Sequence, residues 1–469
     1  MDRMSPLDAS FLHIEDADRT TALHIGSVGI FEGPPPDRAE FAGMLETHLS
    51  EVPRYRQRVD FVPFGIARPV WVDDADFNVG YHVRRTALPR PGGSDELRAL
   101  VGRLMSQRLD RTKPLWEIWL VEGLPDDQWA MLSKVHHCMV DGVSGAEILS
   151  VLLQTNPEVE PFEAPDWTPE PSPSSTELLI DGVRELLTSQ YEQIRALGSL
   201  FRQPRRLAGP VVEITSGLRS LTTHVVVPAE ALELTGSITP HREFAWAEAT
   251  LDDIKAIRRK LGGTVNDVVL AAITAGFRHL LLSRGDDVTG RVVRTMVPVS
   301  IRATRTDGAA SHDGTFDNKV SAMFADLPVG LDDTVAQLDA VRNQLANLKE
   351  SKQAVAGEAL TSMAGFAPPA LLGLGTRVAI RMAPRSNNLH TVTTNVPGPQ
   401  VPLYSCGRRM LRIYPYVPIA APMRIGVAIF SYNGSVTFGV TGDLEQSPDV
   451  DVLADGISAG MADLLSHAA

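Results

Sequence analysis

The run Lys134-Val135-His136-His137-Cys138-Met139-Val140-Asp141-Gly142 gathers the side chains best able to do chemistry. Imidazole titrates near pH ~6.5, so a neutral histidine is a competent general base at cellular pH. An alcohol attacking a thioester needs such a base, because its proton leaves only as the new bond forms. Neighbouring side chains on an extended chain point to opposite faces, so adjacent histidines do not easily share a metal ion. Their spacing also matches no common zinc pattern. One histidine can face a reaction centre while the other faces the protein. Asp141 can hold the loop through an arginine or order the base, and Gly142 lets the chain turn into a helix without a Cβ clash. Cys138 invites a cysteine–histidine nucleophile reading. On a strand it faces away from His137 and reads as a small core filler.

The elements around this run are those of an α/β protein. His24 to Phe31 reads as a strand closed by Gly33-Pro34-Pro35-Pro36, and Leu97 to Leu109 as an amphipathic helix. Trp119 to Val121 and Trp129 to Val135 read as strands, so the histidines follow a strand and precede a helix from Val143 to Leu153. Such a junction is a common place for catalytic groups in α/β proteins. Later come a strand from Phe244 to Thr250, helices Leu251–Leu261 and Thr264–Leu282, and strands Thr295–Val299 and Thr391–Val396. Ile425–Tyr432 and Val436–Val440 form a hairpin through Asn433-Gly434, a strong turn signal.

Composition sets the domain plan. The 469 residues exceed one ordinary core, and the stretch from Asn156 to Ser175, rich in Pro, Glu and Ser, cannot bury a core of its own. We therefore divide the chain into a first domain (1–155), a Pro-rich linker with connecting helices (156–240) and a second domain (241–469). Thr176 is the expected cap of a helix reaching Phe201, followed by Arg202, Arg205 and Arg206. The net charge of −13 argues against a nucleic-acid partner. Two cysteines fit a reducing compartment, and the first residues show no signal peptide. The longest uncharged stretch, Ala359 to Thr376, is interrupted by Pro368 and Pro369, which argues against a spanning helix.

His136-His137-x-x-x-Asp141-Gly142 resembles the HHxxxDG motif of the coenzyme-A-dependent acyltransferase superfamily. The surrounding wording is similar to the bacterial wax ester synthase/diacylglycerol acyltransferase family, in particular its actinobacterial triacylglycerol synthase branch. The resemblance rests on SPLDASFL (Ser5–Leu12), LHIGSVGIFEG (Leu23–Gly33), WVDD (Trp71–Asp74) and LDRTKPLWEIWLVEGL (Leu109–Leu124). It continues through TVNDVVLAA (Thr264–Ala272), VPVSIR (Val297–Arg302) and TNVPGP (Thr394–Pro399).

The resemblance implies two pseudo-symmetric chloramphenicol-acetyltransferase-like domains with a channel between them. It implies His137 as the base, His136 packed behind it, and Asp141 as a mainly structural residue with Arg302 as its ion-pair partner. Asn266 and Asp267 are either needed near the channel or form a helix cap. The oxyanion donor is the Asn266 side chain or a backbone N–H. The implied reaction moves a long-chain acyl group directly from coenzyme A to diacylglycerol, with acyl-CoA as a substrate and neither cofactor nor metal required. The alternatives are a wax ester synthase acting on fatty alcohols and a catalytically silent lipid-surface protein. The expected location is cytoplasmic, in peripheral contact with the inner membrane face or lipid droplets through Ala359–Thr376 or the helix before Arg202.

Overall fold

A computed structural model describes residues 1–140, 151–158, 166–185, 232–300, 320–350 and 389–469. Asp141, Gly142, Arg302, the segment Ala359–Thr376 and Arg202, Arg205 and Arg206 lie outside the described residues, as does nearly all of the helix expected from Val143.

The strands in chain order are β1 (Asp2–Arg3), β2 (His24–Glu32), β3 (Gln57–Asp60), β4 (Val70–Asp73), β5 (Val83–Ala87), β6 (Trp116–Glu122) and β7 (Gln128–His136) in the first half. The second half carries β8 (Arg242–Thr250), β9 (Val293–Ser300), β10 (Val320–Leu327), β11 (Thr391–Pro397), β12 (Tyr404–Ser405), β13 (Arg408–Tyr416), β14 (Ile425–Tyr432) and β15 (Ser435–Asp443). The helices used below are α1 (Pro6–Ala17), α2 (Arg38–His48), α3 (Val79–His82), α4 (Ser94–Ser106), α5 (Leu251–Leu261), α6 (Val265–Ser283), α7 (Thr334–Glu350) and α8 (Val450–Ala468).

Each half is built on a six-stranded mixed sheet, ordered β12-β13-β2-β7-β6-β5 in the first and β10-β9-β11-β14-β15-β8 in the second. This is the two-domain α/β arrangement expected from the sequence. β7 is central and buried along nearly its whole length, so its alternation separates two helical layers rather than protein from solvent. Trp129, Met131 and Val135 belong to the cluster that also holds Leu12 of α1 and Phe41 of α2. Ala130 and Leu132 pack with Leu97, Val101 and Leu104 of α4. By the same period, Lys134 and His136 share the α4 face.

Lys134 explains where α4 stops. Its ammonium, buried at the helix end, donates to the carbonyls of Leu104 (2.9 Å) and Gln107, and Gln107 is already extended. A cation satisfying the last carbonyls is a favourable helix terminus. The helix expected as far as Leu109 therefore ends at Ser106. Burial lowers the Lys134 pKa to about 8, against the opposing charges of Glu117 and Glu15.

In the second half, α5 to α8 cover the sheet with one continuous apolar core. Among the described residues, α6 is the helix long and apolar enough to cross a membrane, yet 67% of its apolar window is buried within the protein. It packs closely on α8: a Cβ on Gly276 would meet Ile457 Cγ1 at 2.6 Å, and one on Gly456 would meet the Gly276 Cα at 2.9 Å. These glycines allow two helix backbones to touch.

The halves are stitched together rather than merely joined. The chain crosses the sequence division at residue 241, since β12 and β13 complete the first sheet by pairing β13 with β2. Arg242, at the start of β8, donates to the Thr20 carbonyl across the boundary (2.7 Å), and its backbone N–H reaches Ser106 Oγ of α4 (2.9 Å). Its guanidinium stands 3.7 Å from Asp443 Oδ2, with both side chains fully buried. The linker also packs more than its composition suggests. Ser174 rather than Thr176 caps the helix that follows, through a reciprocal bond with Glu177. Leu178 of that helix buries against Val70 and Val72, while Arg3 and Arg68 pair with Glu185.

Replacing Arg242 with alanine leaves Asp443 buried without its cation. The expected cost is about 3–5 kcal/mol of unfolding free energy, read from urea denaturation. A loss below ~0.5 kcal/mol, the size of an ordinary surface change, would contradict this reading of the seam.

Candidate active site

β7 ends at His136, and the next three residues, His137–Met139, form a single 3-10 turn. The adjacent histidines are thereby separated by a change of backbone type as well as by strand alternation. The backbone N–H of His137 still donates to Leu23 O (2.9 Å), which fixes the turn to the end of β2.

His136 is buried and acts as the cap of that turn. Its Nδ1 accepts the Cys138 N–H at 3.1 Å, so in the neutral ring the proton resides on Nε2. Nε2 stands 3.3 Å from Glu15 Oε1, close enough for electrostatic attraction although off the line of a hydrogen bond. Glu15 of α1 is held in turn by the Leu23 N–H (2.6 Å) and by Arg111 (2.9 Å). Burial alone raises the Glu15 pKa. The contact with His136, the nearby His24 ring and the Leu23 N–H outweigh it and hold the carboxyl well below the usual range. Glu15 is therefore a buried anion held by the Arg111 cation and by polar hydrogens.

His137 keeps a partly exposed edge, while its Nδ1 is buried with no hydrogen-bond partner among the described residues. Its ring lies against Phe11 of α1, with centroids 4.2 Å apart and planes at 34°. Burial lowers its pKa to about 4, opposed by contact with its own main chain and aided by His136. The ring is thus neutral at cellular pH and able to accept a proton. Cys138, buried behind the turn, has its thiol pushed well above the usual value by burial and by the charges of Asp8 and Glu15. A thiol that remains protonated is a poor nucleophile.

His24 lies opposite His136 in the ladder, and neither of its ring nitrogens has a hydrogen-bond partner among the described residues. Burial and the nearby Lys134 charge lower its pKa well below 6.5. Glu15, His24 and His136 bring ligand atoms within 4.8 Å of one another, a spacing that could hold a metal ion. The donor chemistry fits poorly, because both Glu15 oxygens are already engaged and Lys134 adds positive charge nearby. We read the trio as a polar core beneath the turn.

In the second half, Thr264 caps α6, and Asp267 accepts the Thr264 N–H (2.7 Å) to close a capping box. Asp267 is buried in that role. Asn266 does not cap; its Oδ1 accepts from Asn395 Nδ2 of β11 at 3.2 Å, which leaves its amide nitrogen as its donor. Phe430, beside the Ile429 that pairs with Asn395, packs in the same cluster as Met139 and Val140. Trp116 of the Pro114-Leu115-Trp116 run donates to Tyr55 O (2.8 Å) and stacks on His82 inside the first half's core. Glu15, His24, Phe11 and Asn395 cannot be found from the histidine run itself, because they come from other elements. Their signal lay in the segments around Ser5–Leu12, Leu23–Gly33 and Thr394–Pro399.

Three histidines give the protein an acid limit. His24, His82 and His137 all have folded-state pKa values below 6.5, those of His82 and His137 near about 4. The folded state therefore binds fewer protons than the unfolded chain. The associated stability is complete above pH ~6.5 and is lost as pH falls toward ~4. The urea midpoint is expected to fall steadily between pH 7 and 5, where ordinary carboxylates contribute little; an unchanged midpoint over that interval would show that these rings are not buried as neutral groups.

Comparison with known proteins shows the family. Residues 4–269 match the wax ester synthase/diacylglycerol acyltransferase catalytic domain, and residues 316–464 match the WS/DGAT C-terminal domain. The chain is 36% identical over 473 residues to a protein of Mycobacterium tuberculosis H37Rv described as a probable diacylglycerol O-acyltransferase, tgs1, covering 99% of this chain and 96% of that one. The solved wax ester synthase/diacylglycerol acyltransferase of Marinobacter aquaeolei VT8 superposes with a TM-score of 0.70 at 26% identity, over 99% of both chains. The first condensation domain of the calcium-dependent antibiotic synthetase shares the fold, with a TM-score of 0.59 at 14% identity and coverage of 99% and 96%. The chain belongs to the wax ester synthase/diacylglycerol acyltransferase family and is an acyl-CoA-dependent acyltransferase.

Proposed function

We propose that the protein is a diacylglycerol O-acyltransferase that makes triacylglycerol from long-chain acyl-CoA, with His137 as general base. The carrying observation is an imidazole on a strand-ending turn that the His136 ring caps and Glu15 backs, with burial keeping that imidazole neutral. The acceptor hydroxyl gives its proton to His137 as its oxygen attacks the thioester carbonyl. Collapse of the tetrahedral adduct breaks the C–S bond, and the imidazolium returns the proton to the coenzyme A thiolate. The oxyanion requires a donor aimed at it. The amide N–H groups of Asn266 are one source and a backbone N–H is the other. The transfer is direct and uses no cofactor. The buried Cys138 thiol is held protonated, so no acyl-enzyme forms on it.

The mycobacterial relative's description favours diacylglycerol as acceptor, and the Marinobacter enzyme's name keeps long-chain alcohol as the second reading. Both acceptors are nearly insoluble, so the enzyme works in peripheral contact with the cytoplasmic membrane face or a lipid droplet. A low pKa makes the base available but weak, so the rate depends on a water-poor site in which the proton transfer is not opposed by solvent.

Purified protein supplied with radiolabelled oleoyl-CoA and either dioleoylglycerol or hexadecanol separates the readings. Labelled triacylglycerol in excess over wax ester is the expected product; the reverse preference would establish the wax ester synthase reading, and neither product a silent lipid-binding protein. His137→Ala is expected to lower turnover by about 10²–10⁴-fold. Wild-type turnover in that variant would remove His137 from the mechanism.

A further inference from the structure

α1 carries two apolar rows, and the first half's core accounts for one of them. Ala9, Leu12 and Glu15 face inward, with Ala9 and Leu12 in the main cluster of that half. Leu7, Phe11 and Ile14, at helical spacings of four and three, form a second row that is only partly buried and lies outside every core cluster of the described residues. An apolar row left partly open on a helix calls for a partner. The observed partner of its central residue is the base itself, through the 4.2 Å approach of the Phe11 and His137 rings.

We propose that Phe11 is a positioning residue that seats the His137 ring and keeps bulk water away from it, so that the acyl group passes to an alcohol rather than to water. This rests on the acyl-transfer role of His137. A base able to take a proton from an alcohol can equally take one from water. In that side reaction the water oxygen attacks the thioester carbon, the C–S bond breaks, and the proton held by His137 returns to the thiolate, giving a free fatty acid and coenzyme A. The structure supplies three reasons for assigning the exclusion to Phe11. Its ring covers a face of the imidazole, which a hydrogen-bonding side chain in that position would not keep dry. The Nδ1 edge is already buried without a hydrogen-bond partner among the described residues, so Phe11 extends the cover over a ring already partly withdrawn from solvent. The neighbouring Leu7 and Ile14 extend the apolar cover along the helix, whereas Asp8 and Glu15 lie on its buried side and Asp16 pairs with Arg111. His136, the titratable neighbour on the same turn, faces Glu15 instead.

The test uses the full chain with two readouts. The first is the ratio of coenzyme A released from oleoyl-CoA without acceptor to triacylglycerol formed with dioleoylglycerol. Phe11→Ala is expected to raise this hydrolysis-to-transfer ratio by about tenfold, equivalent to ~1.4 kcal/mol between the two barriers. Phe11→Leu, which restores apolar bulk, is expected to return most of the ratio toward wild type. The second readout is the rate at which diethyl pyrocarbonate modifies His137 at pH 7.5, followed by peptide mass mapping. It is expected to rise severalfold in Phe11→Ala and to remain low in Phe11→Leu. An unchanged ratio in Phe11→Ala, a raised ratio that leucine does not correct, or a wild-type modification rate in Phe11→Ala overturns the proposal. Modification does not require transfer. A wild-type protein that moves no acyl group would therefore refute the proposed function, while the modification rates would still decide whether Phe11 shields the ring.

Discussion

The contact between Glu15 and His136 is the interaction on which the rest of the site depends. A strand could continue past His136, and then His137 would lie in the ladder with its side chain on the opposite face. Instead the His136 ring turns back to cap a 3-10 turn, and the buried carboxylate of Glu15 faces the ring's other nitrogen. Holding an anion in this core is costly unless it is paired and hydrogen-bonded. Arg111 and the Leu23 N–H supply that compensation, so α1, β2 and the loop before β6 are all tied to the position of one side chain.

Around that centre the fold is arranged to keep the base turn in place between two halves that share structure. β13 belongs by sequence to the second half and by hydrogen bonding to the first. Arg242 couples β8 to Thr20 and to the end of α4, and Lys134 occupies the last carbonyls of that same helix. A shift of one half relative to the other would therefore disturb the helix that packs under β7. The placement of Phe430 and Tyr432 of β14 in the cluster that contains Met139 and Val140 has the same consequence from the other side. The turn is thus supported by packing from both halves.

Much of this was legible in the sequence where local rules decide. The Asn433-Gly434 hairpin forms, with both residues at positive φ, and β8, α5, α6 and β14 lie within a residue or two of where periodicity places them. The identity of Thr264 and Asp267 as a cap is likewise a local matter. Non-local pairing was not legible. Nothing in Arg408–Tyr416 announces that it leaves its own domain's sheet, since an edge pairing depends on what lies across it. The early end of α4 depended on Lys134, about thirty residues away, and the expected extension to Leu109 failed for that reason. For the site, the histidine run gave the base and its neighbour, but a buried Glu15 inside an amphipathic helix reads as an ordinary polar position until the fold brings it beneath His136.

Histidine-selective ¹⁵N NMR of the wild-type protein tests the central claim most directly, because ring nitrogen shifts report both protonation and tautomer. At pH 5 a ring with a pKa near about 4 is roughly nine-tenths neutral, whereas an unperturbed ring is almost fully protonated. The expected spectrum shows a neutral His137 at pH 5 and, at a pH where imidazoles are neutral, a His136 carrying its proton on Nε2. A His137 that is protonated at pH 5, or a His136 with its proton on Nδ1, would contradict a base kept neutral on a turn capped by its neighbour.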